Sequence, residues 1–135
     1  MCRQGASVIQ TSVLDRIRDP SLRAYVVWVP ILPDDNESAA RGACELVTDA
    51  GATHFWDAQR VLPAAFAATL DLPADWPAWD IYMGYAPGIR WSEVQEGDGP
   101  PQPTFWYHQL GDLALAPRLD GKAFAADVDR LMRLA

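Results

Sequence analysis

The chain has 135 residues and a mass of 14.9 kDa, the size of one domain able to bury a real core. Half of its residues are hydrophobic and 21% are charged, the balance of an ordinary soluble globular protein. The net charge of -7, with no cluster of Lys or Arg to offset it, argues against a nucleic-acid partner, and no apolar run approaches transmembrane length.

The N-terminus, Met1-Cys2-Arg3-Gln4-Gly5-Ala6, lacks the hydrophobic region of a signal peptide, so a cytoplasmic chain is expected as the sequence stands. Cys2 and Cys44 are too few for a disulfide scaffold. Residues 3–18 read as a helix: Ala6, Ile9, Val13 and Ile17 recur at helical spacing, and Pro20 stops it. Cys2 falls at or before its first turn, where unpaired N–H groups and the helix dipole favour a thiolate.

Leu22–Ile31 is almost unbroken in apolar and β-branched residues, between Pro20 and Pro33. That pattern predicts a strand buried on both faces, an inner strand of a three-layer α/β domain. Asp34 and Glu37 form a capping pattern for a helix to about Asp49, with Ala39, Ala40, Ala43, Leu46 and Val47 on one face and Gly51 as terminator. Thr53–Asp57 reads as a second strand. A helix over about 62–70 follows, with Pro63 in its first turn.

The Pro-rich segment 72–77 leads into a third strand, 78–85. Ala86-Pro87-Gly88 is a turn from which Ile89-Arg90-Trp91 is expected to pair back as a hairpin. Residues 92–104 are acidic, rich in Gly and Pro, and irregular. The aromatic run Phe105–Leu110 reads as a strand or loop covering the sheet, and Asp120 caps a last helix carrying Phe124, Val128, Leu131 and Met132. No internal repeat or linker divides the chain.

The order helix, strand, helix, strand, helix, Pro-led strand and final helix resembles the thioredoxin superfamily. The added strand and helix at 53–70 are similar to its TlpA-like and peroxiredoxin-like branches. The residues that carry the resemblance are Phe55-Trp56-Asp57, Trp76-Pro77-Ala78-Trp79 and Met1-Cys2-Arg3-Gln4, the last similar to the second half of a Cys-x-x-Cys motif. The resemblance implies an α/β/α sandwich with a mixed sheet, N-terminally truncated, forming a single domain over 1–135. It also implies that the central strand and the first cysteine (or selenocysteine) lie upstream of Met1. A start there would leave room for a signal peptide and a periplasmic location. The incomplete sheet implies a homo-oligomer that supplies the missing strand.

On that resemblance the chain is a thiol–disulfide oxidoreductase. Cys2 is the second, resolving cysteine, and Pro77 is a cis-proline facing it, with Trp76 and Ala78 beside it in a bulky, aromatic substrate groove. The partner is a protein or small-molecule thiol or disulfide, and no cofactor is implied. Against this stands a terminal cysteine of no consequence and a trans loop proline. The alternative for the whole chain is a non-catalytic binding or assembly domain that uses the surfaces of Trp76, Trp79 and Trp106.

The remaining reactive residues read as structural. Cys44 sits mid-helix among alanines as a small hydrophobe. Asp57 lies between strand and helix as a cap. His54 and His108 match no zinc spacing with the cysteines, and His108 reads as satisfied by a backbone partner. Asp80 in its apolar strand calls for a partner, and Arg90 across the hairpin would supply one.

Overall fold

The computed structural model describes residues 3–91 and 99–135, so Cys2 and most of the acidic loop lie outside the described residues. Among the described residues four strands form two separate two-stranded sheets, accompanied by four α-helices. β1 (Ala24–Trp28) pairs in parallel with β2 (Ala52–Trp56). β3 (Ile81–Gly84) pairs antiparallel with β4 (Phe105–His108). The expected α/β class stands; a single continuous mixed sheet is not what forms.

The first helix, α1 (Arg3–Ile9), passes into a π-helical turn at Gln10–Leu14 and ends there, short of the expected Arg18. The Gln10 side chain braces this turn. Its amide nitrogen donates to Asp15 at 2.7 Å and its oxygen accepts the Thr48 N–H at 3.0 Å. α2 (Glu37–Ala43) is shorter than expected and closes in a 3-10 turn at Cys44–Leu46, well before Gly51. Its cap is Asn36, whose Oδ1 accepts the Ala39 N–H at 2.9 Å, and not Asp34. α3 (Val61–Thr69) has Arg60 as its N-cap residue, in the left-handed region and without a cap bond of its own; the carboxylate of Asp57, three residues back, accepts the Leu62 N–H at 2.8 Å in its place. α4 (Gly121–Met132) starts at Asp120, which accepts the Ala123 N–H at 2.8 Å.

One core serves both sheets. Ala6, Val13 and Leu14 from the first helical segment meet Trp28, Ala40, Ala43, Tyr107, Phe124 and Val128 in a single buried cluster. Phe105, Tyr107 and Phe124 pack edge to face, with ring centroids 5.2–6.1 Å apart. Two-stranded sheets are marginal in water, so this shared cluster rather than the ladders must hold the sheets in place.

The inner-strand expectation for Leu22–Ile31 is corrected. Only 24–28 is strand, and only one of its faces is buried. Ala24, Val26 and Trp28 join the core, while Tyr25 is 70% exposed beside Phe55 on the opposite face. Apolar residues on both faces did not bring two covering layers.

The phase of each ladder follows from its end bonds. The Ala24 N–H donates to Gly51 O at 3.1 Å, and Trp28 O accepts the Asp57 N–H at 3.0 Å. Ala24, Val26 and Trp28 therefore turn their backbone groups to β2, while Tyr25 and Val27 turn theirs away. Asp80 O accepts the Gln109 N–H at 3.0 Å, which directs Ile81 and Met83 away from β4. β1 and β3 do not pair with each other. The far edge of β4, by contrast, is covered at His108. The His108 N–H donates to Pro117 O at 3.1 Å, and the Leu119 N–H donates to His108 O at 2.7 Å.

The hairpin at 78–91 does not form. β3 takes its partner from 105–108, and Trp91 packs edge-on against Phe66 of α3 at 5.5 Å. With 89–91 out of the sheet, the expected ladder pair of Asp80 with Arg90 has no ladder to sit on. Asp80 instead precedes β3 in the left-handed region, at φ 51.

Candidate functional site

Two concavities stand out. The larger, about 730 Å³, lies at the N-terminal ends of β1 and β2 and is lined by residues such as Asp15, Arg18, Arg23 and Asp49. Its polar groups are already engaged. Asp15 accepts from Gln10, the Asp49 carboxylate accepts the Gly51 N–H at 2.7 Å, and the Arg23 guanidinium donates to the Pro20 and Leu22 carbonyls. Such bonds brace loops, and ligands in open α/β sheets sit by preference at the other end of the strands.

The second cavity, about 340 Å³, opens between the loop 75–80 and the end of β4. Asp75, Trp76, Pro77, Trp79 and Asp80 line one side, and Gln109, Leu110 and Gly111 the other. A turn closed by Trp76 N–H to Pro73 O at 3.1 Å shapes this loop. A tighter one from Trp79 N–H to Pro77 O at 3.0 Å follows it. The loop is tied to α3 by Ala78 N–H to Pro63 O at 3.1 Å. Asp75 and Asp80 flank the loop at φ 66 and 51, conformations that Asp tolerates better than most residues.

Neither Trp76 nor Trp79 stacks on another described ring, and neither indole N–H donates to a described residue. Two large π-surfaces are therefore left for whatever enters. On the opposite wall, Arg118 donates to the carbonyls of Leu110 and Gly111 at 2.9 and 3.1 Å and fixes their orientation. α1 begins beside this cavity. A Cβ on Gly5 would overlap the Tyr82 hydroxyl and lie 2.7 Å from Gln109 Oε1.

No family model, curated protein or solved structure matches this chain.

The residues expected from the sequence distribute as follows. Trp76, Pro77 and Trp79 converge on the cavity. Ala78 adjoins it but does not line it, since its N–H is held by Pro63. The expected cis bond at Pro77 is trans, as are all described peptide bonds. Trp106 is not brought to the cavity; its ring lies 6.1 Å from that of His108. Cys2 lies outside the described residues. Cys44 is half-buried, and its thiol donates to Ala40 O at 3.3 Å. Sequence reasoning missed the opposite wall, Gln109–Gly111. Its signal was the Gly111-Asp112 break directly after an aromatic run.

Both histidines are structural. His108 is fully buried. Its Nδ1 accepts the Leu110 N–H at 3.0 Å, which places the proton on Nε2, shared between Leu113 O and Ala116 O at 3.0 and 2.9 Å. His54 Nδ1 accepts from Trp28, and its Nε2 donates to Val47 O at 2.9 Å. No group of three or more His, Cys, Asp or Glu among the described residues could hold a metal ion. No described helix is long and apolar enough to cross a membrane.

Proposed function

We propose that this chain is a non-catalytic binding domain of the α/β class, which takes a ligand in the cavity between Trp76-Pro77-Trp79 and Gln109–Gly111. The observation that carries this reading is the pair of indoles on the cavity wall without a ring partner of their own. Exposed aromatic surface in a concave, rigidly braced loop is the usual chemistry of a binding site. Cys44, Asp57, His54 and His108 are engaged in capping and core bonds, which supports binding rather than turnover.

A thioredoxin-like oxidoreductase is the second reading, with Cys2 as the resolving thiol. It draws on the position of α1 (Arg3–Ile9), whose first turn places Gly5 beside Gln109 of the same cavity. Insulin reduction by dithiothreitol separates the two when it is run on the protein extended upstream of Met1, since the redox reading needs a second thiol there. The binding reading expects that protein and its Cys2→Ser variant to leave the rate at that of dithiothreitol alone. Acceleration that Cys2→Ser abolishes would replace it with the redox reading.

A further inference from the structure

We infer that the ligand of this cavity carries a quaternary ammonium head. The inference rests on the reading of the cavity as a binding site and names the chemistry that it selects. Trp76, Pro77 and Trp79 supply the apolar part of one wall, and two carboxylates, Asp75 and Asp80, lie on the same loop. No Lys, Arg or His lines the cavity.

A cation is drawn to the negative face of an indole, and a methylated ammonium most of all, because it has little hydration to lose. A primary ammonium would have to replace its water with hydrogen bonds. On the far wall the Leu110 and Gly111 carbonyls each already accept from Arg118, so a primary ammonium would depend on the loop carboxylates, whereas the indoles favour a methylated head without such bonds. The carboxylates need make no direct contact, since their field, screened by solvent at the exposed Asp75, still attracts the charge and repels anions. The chain's net charge of -7 acts in the same direction. At about 340 Å³ the cavity has the size of a small-molecule site, at the lower end of the usual range. Asp75 is exposed, so an arriving cation can reach it.

The test is an NMR titration of the whole chain, read at the indole N–H signals of Trp76 and Trp79, with four probes. Choline and its neutral isostere 3,3-dimethylbutan-1-ol have the same shape and differ in charge. The anion 3,3-dimethylbutanoate reverses the charge, and phenol reports any aromatic-lined site. Choline is expected to move both indole signals at concentrations where the alcohol and the anion do not. Trp76→Ala should weaken choline roughly tenfold, the loss of one cation–π contact. Asp75→Asn, which keeps the tolerance for positive φ, should weaken it about threefold and remove part of the salt dependence.

Equal binding of choline and the alcohol, or binding of phenol without choline, would overturn the cation inference and leave the binding site standing. If none of the four probes moves either indole, both the inference and the binding reading fall. A peptide bearing trimethyllysine serves as a fifth probe. Tighter binding than choline would assign the ammonium head to a modified side chain, and weaker binding to a free small molecule; both outcomes support quaternary ammonium recognition.

Discussion

The Trp28 indole donates its Nε1–H to His54 Nδ1 at 3.1 Å, and the two rings are coplanar to within 1° with centroids 6.2 Å apart. The geometry is edge to edge, a hydrogen bond between neighbouring strands rather than a stack. It is what allows a tryptophan only 5% exposed to sit in the core without an orphaned donor. His54 passes the constraint on to Val47 O, and so ties β1, β2 and the end of the second helical segment together.

Replacing His54 by Phe keeps a ring but leaves both the Trp28 N–H and Val47 O without partners. The expected loss is about 2–4 kcal/mol in urea unfolding, from two desolvated groups at ~1–2 kcal/mol each. Trp28→Phe,His54→Phe should lose less than the sum of the single variants, with a coupling of about 1 kcal/mol. Strict additivity would mean that the bond contributes nothing.

Gly5 and Gly42 predict opposite signs for one substitution. A Cβ at Gly5 overlaps the Tyr82 hydroxyl and crowds Gln109, whose Oε1 accepts from that hydroxyl at 3.0 Å. Gly5→Ala should therefore destabilise by about 1–3 kcal/mol and shift the signals of Tyr82, Gln109 and Leu110 on the cavity wall. Gly42 lies on the exposed face of α2 with nothing within 4 Å of its Cβ position. Gly42→Ala should stabilise by about 0.5–1 kcal/mol through helix propensity alone. Equal effects at the two sites would show that α1 does not pack on β3 as described.

The tyrosines carry a pH prediction. Burial pushes the Tyr85 hydroxyl up to about 12 from its ordinary value near 10, and that hydroxyl donates to Pro101 O at 3.0 Å. Below pH 10 both folded and unfolded chains keep the proton, and its contribution is fully present. Between pH 10 and about 12 the unfolded chain ionises first, so stability falls as pH rises through that window. The ring is only half-buried, so solvent screening makes the fall smaller than the shift alone would give. Tyr85 should develop its tyrosinate absorbance only near pH 12. Tyr85→Phe should lose about 1 kcal/mol at neutral pH and flatten the alkaline fall. An unchanged alkaline profile would assign the fall to other groups.

What the sequence made legible was local. Asp57 and Asp120 were readable as caps because a carboxylate before an apolar-periodic segment has one common use, and His108 was readable as a backbone-satisfied residue inside an aromatic run. The non-local pairings were hidden. Ala86-Pro87-Gly88 offers a turn, and proximity favours the neighbouring strand 89–91, yet Trp91 finds Phe66 and β3 finds 105–108 twenty residues on. One trace of that choice was present: Gly84 leaves room for the Phe105 ring, which a Cβ there would overlap. The Trp76-Pro77 half of the cavity was visible as an aromatic Pro-led loop. Its other wall was not, because Gln109–Gly111 is placed by strand register rather than by any motif.

The open ladder edges give the last prediction. Tyr25 and Val27 of β1, and Ile81 and Met83 of β3, direct their N–H groups away from their strand partners, and no described backbone group accepts from them. Val26, Trp28 and Tyr82 alternate with them along the same strands and donate within the ladders. Amide exchange followed by NMR in dilute solution should therefore alternate residue by residue. The outward four should exchange at least about tenfold faster than the inward three, since opening their environment breaks no hydrogen bond. Edges of this kind are where strands from other chains add. Raising the protein concentration should thus slow the outward amides selectively if copies pair through them, and leave all seven unchanged if the monomer is stable as it stands. Uniform protection in dilute solution would contradict the register on which the two separate sheets rest.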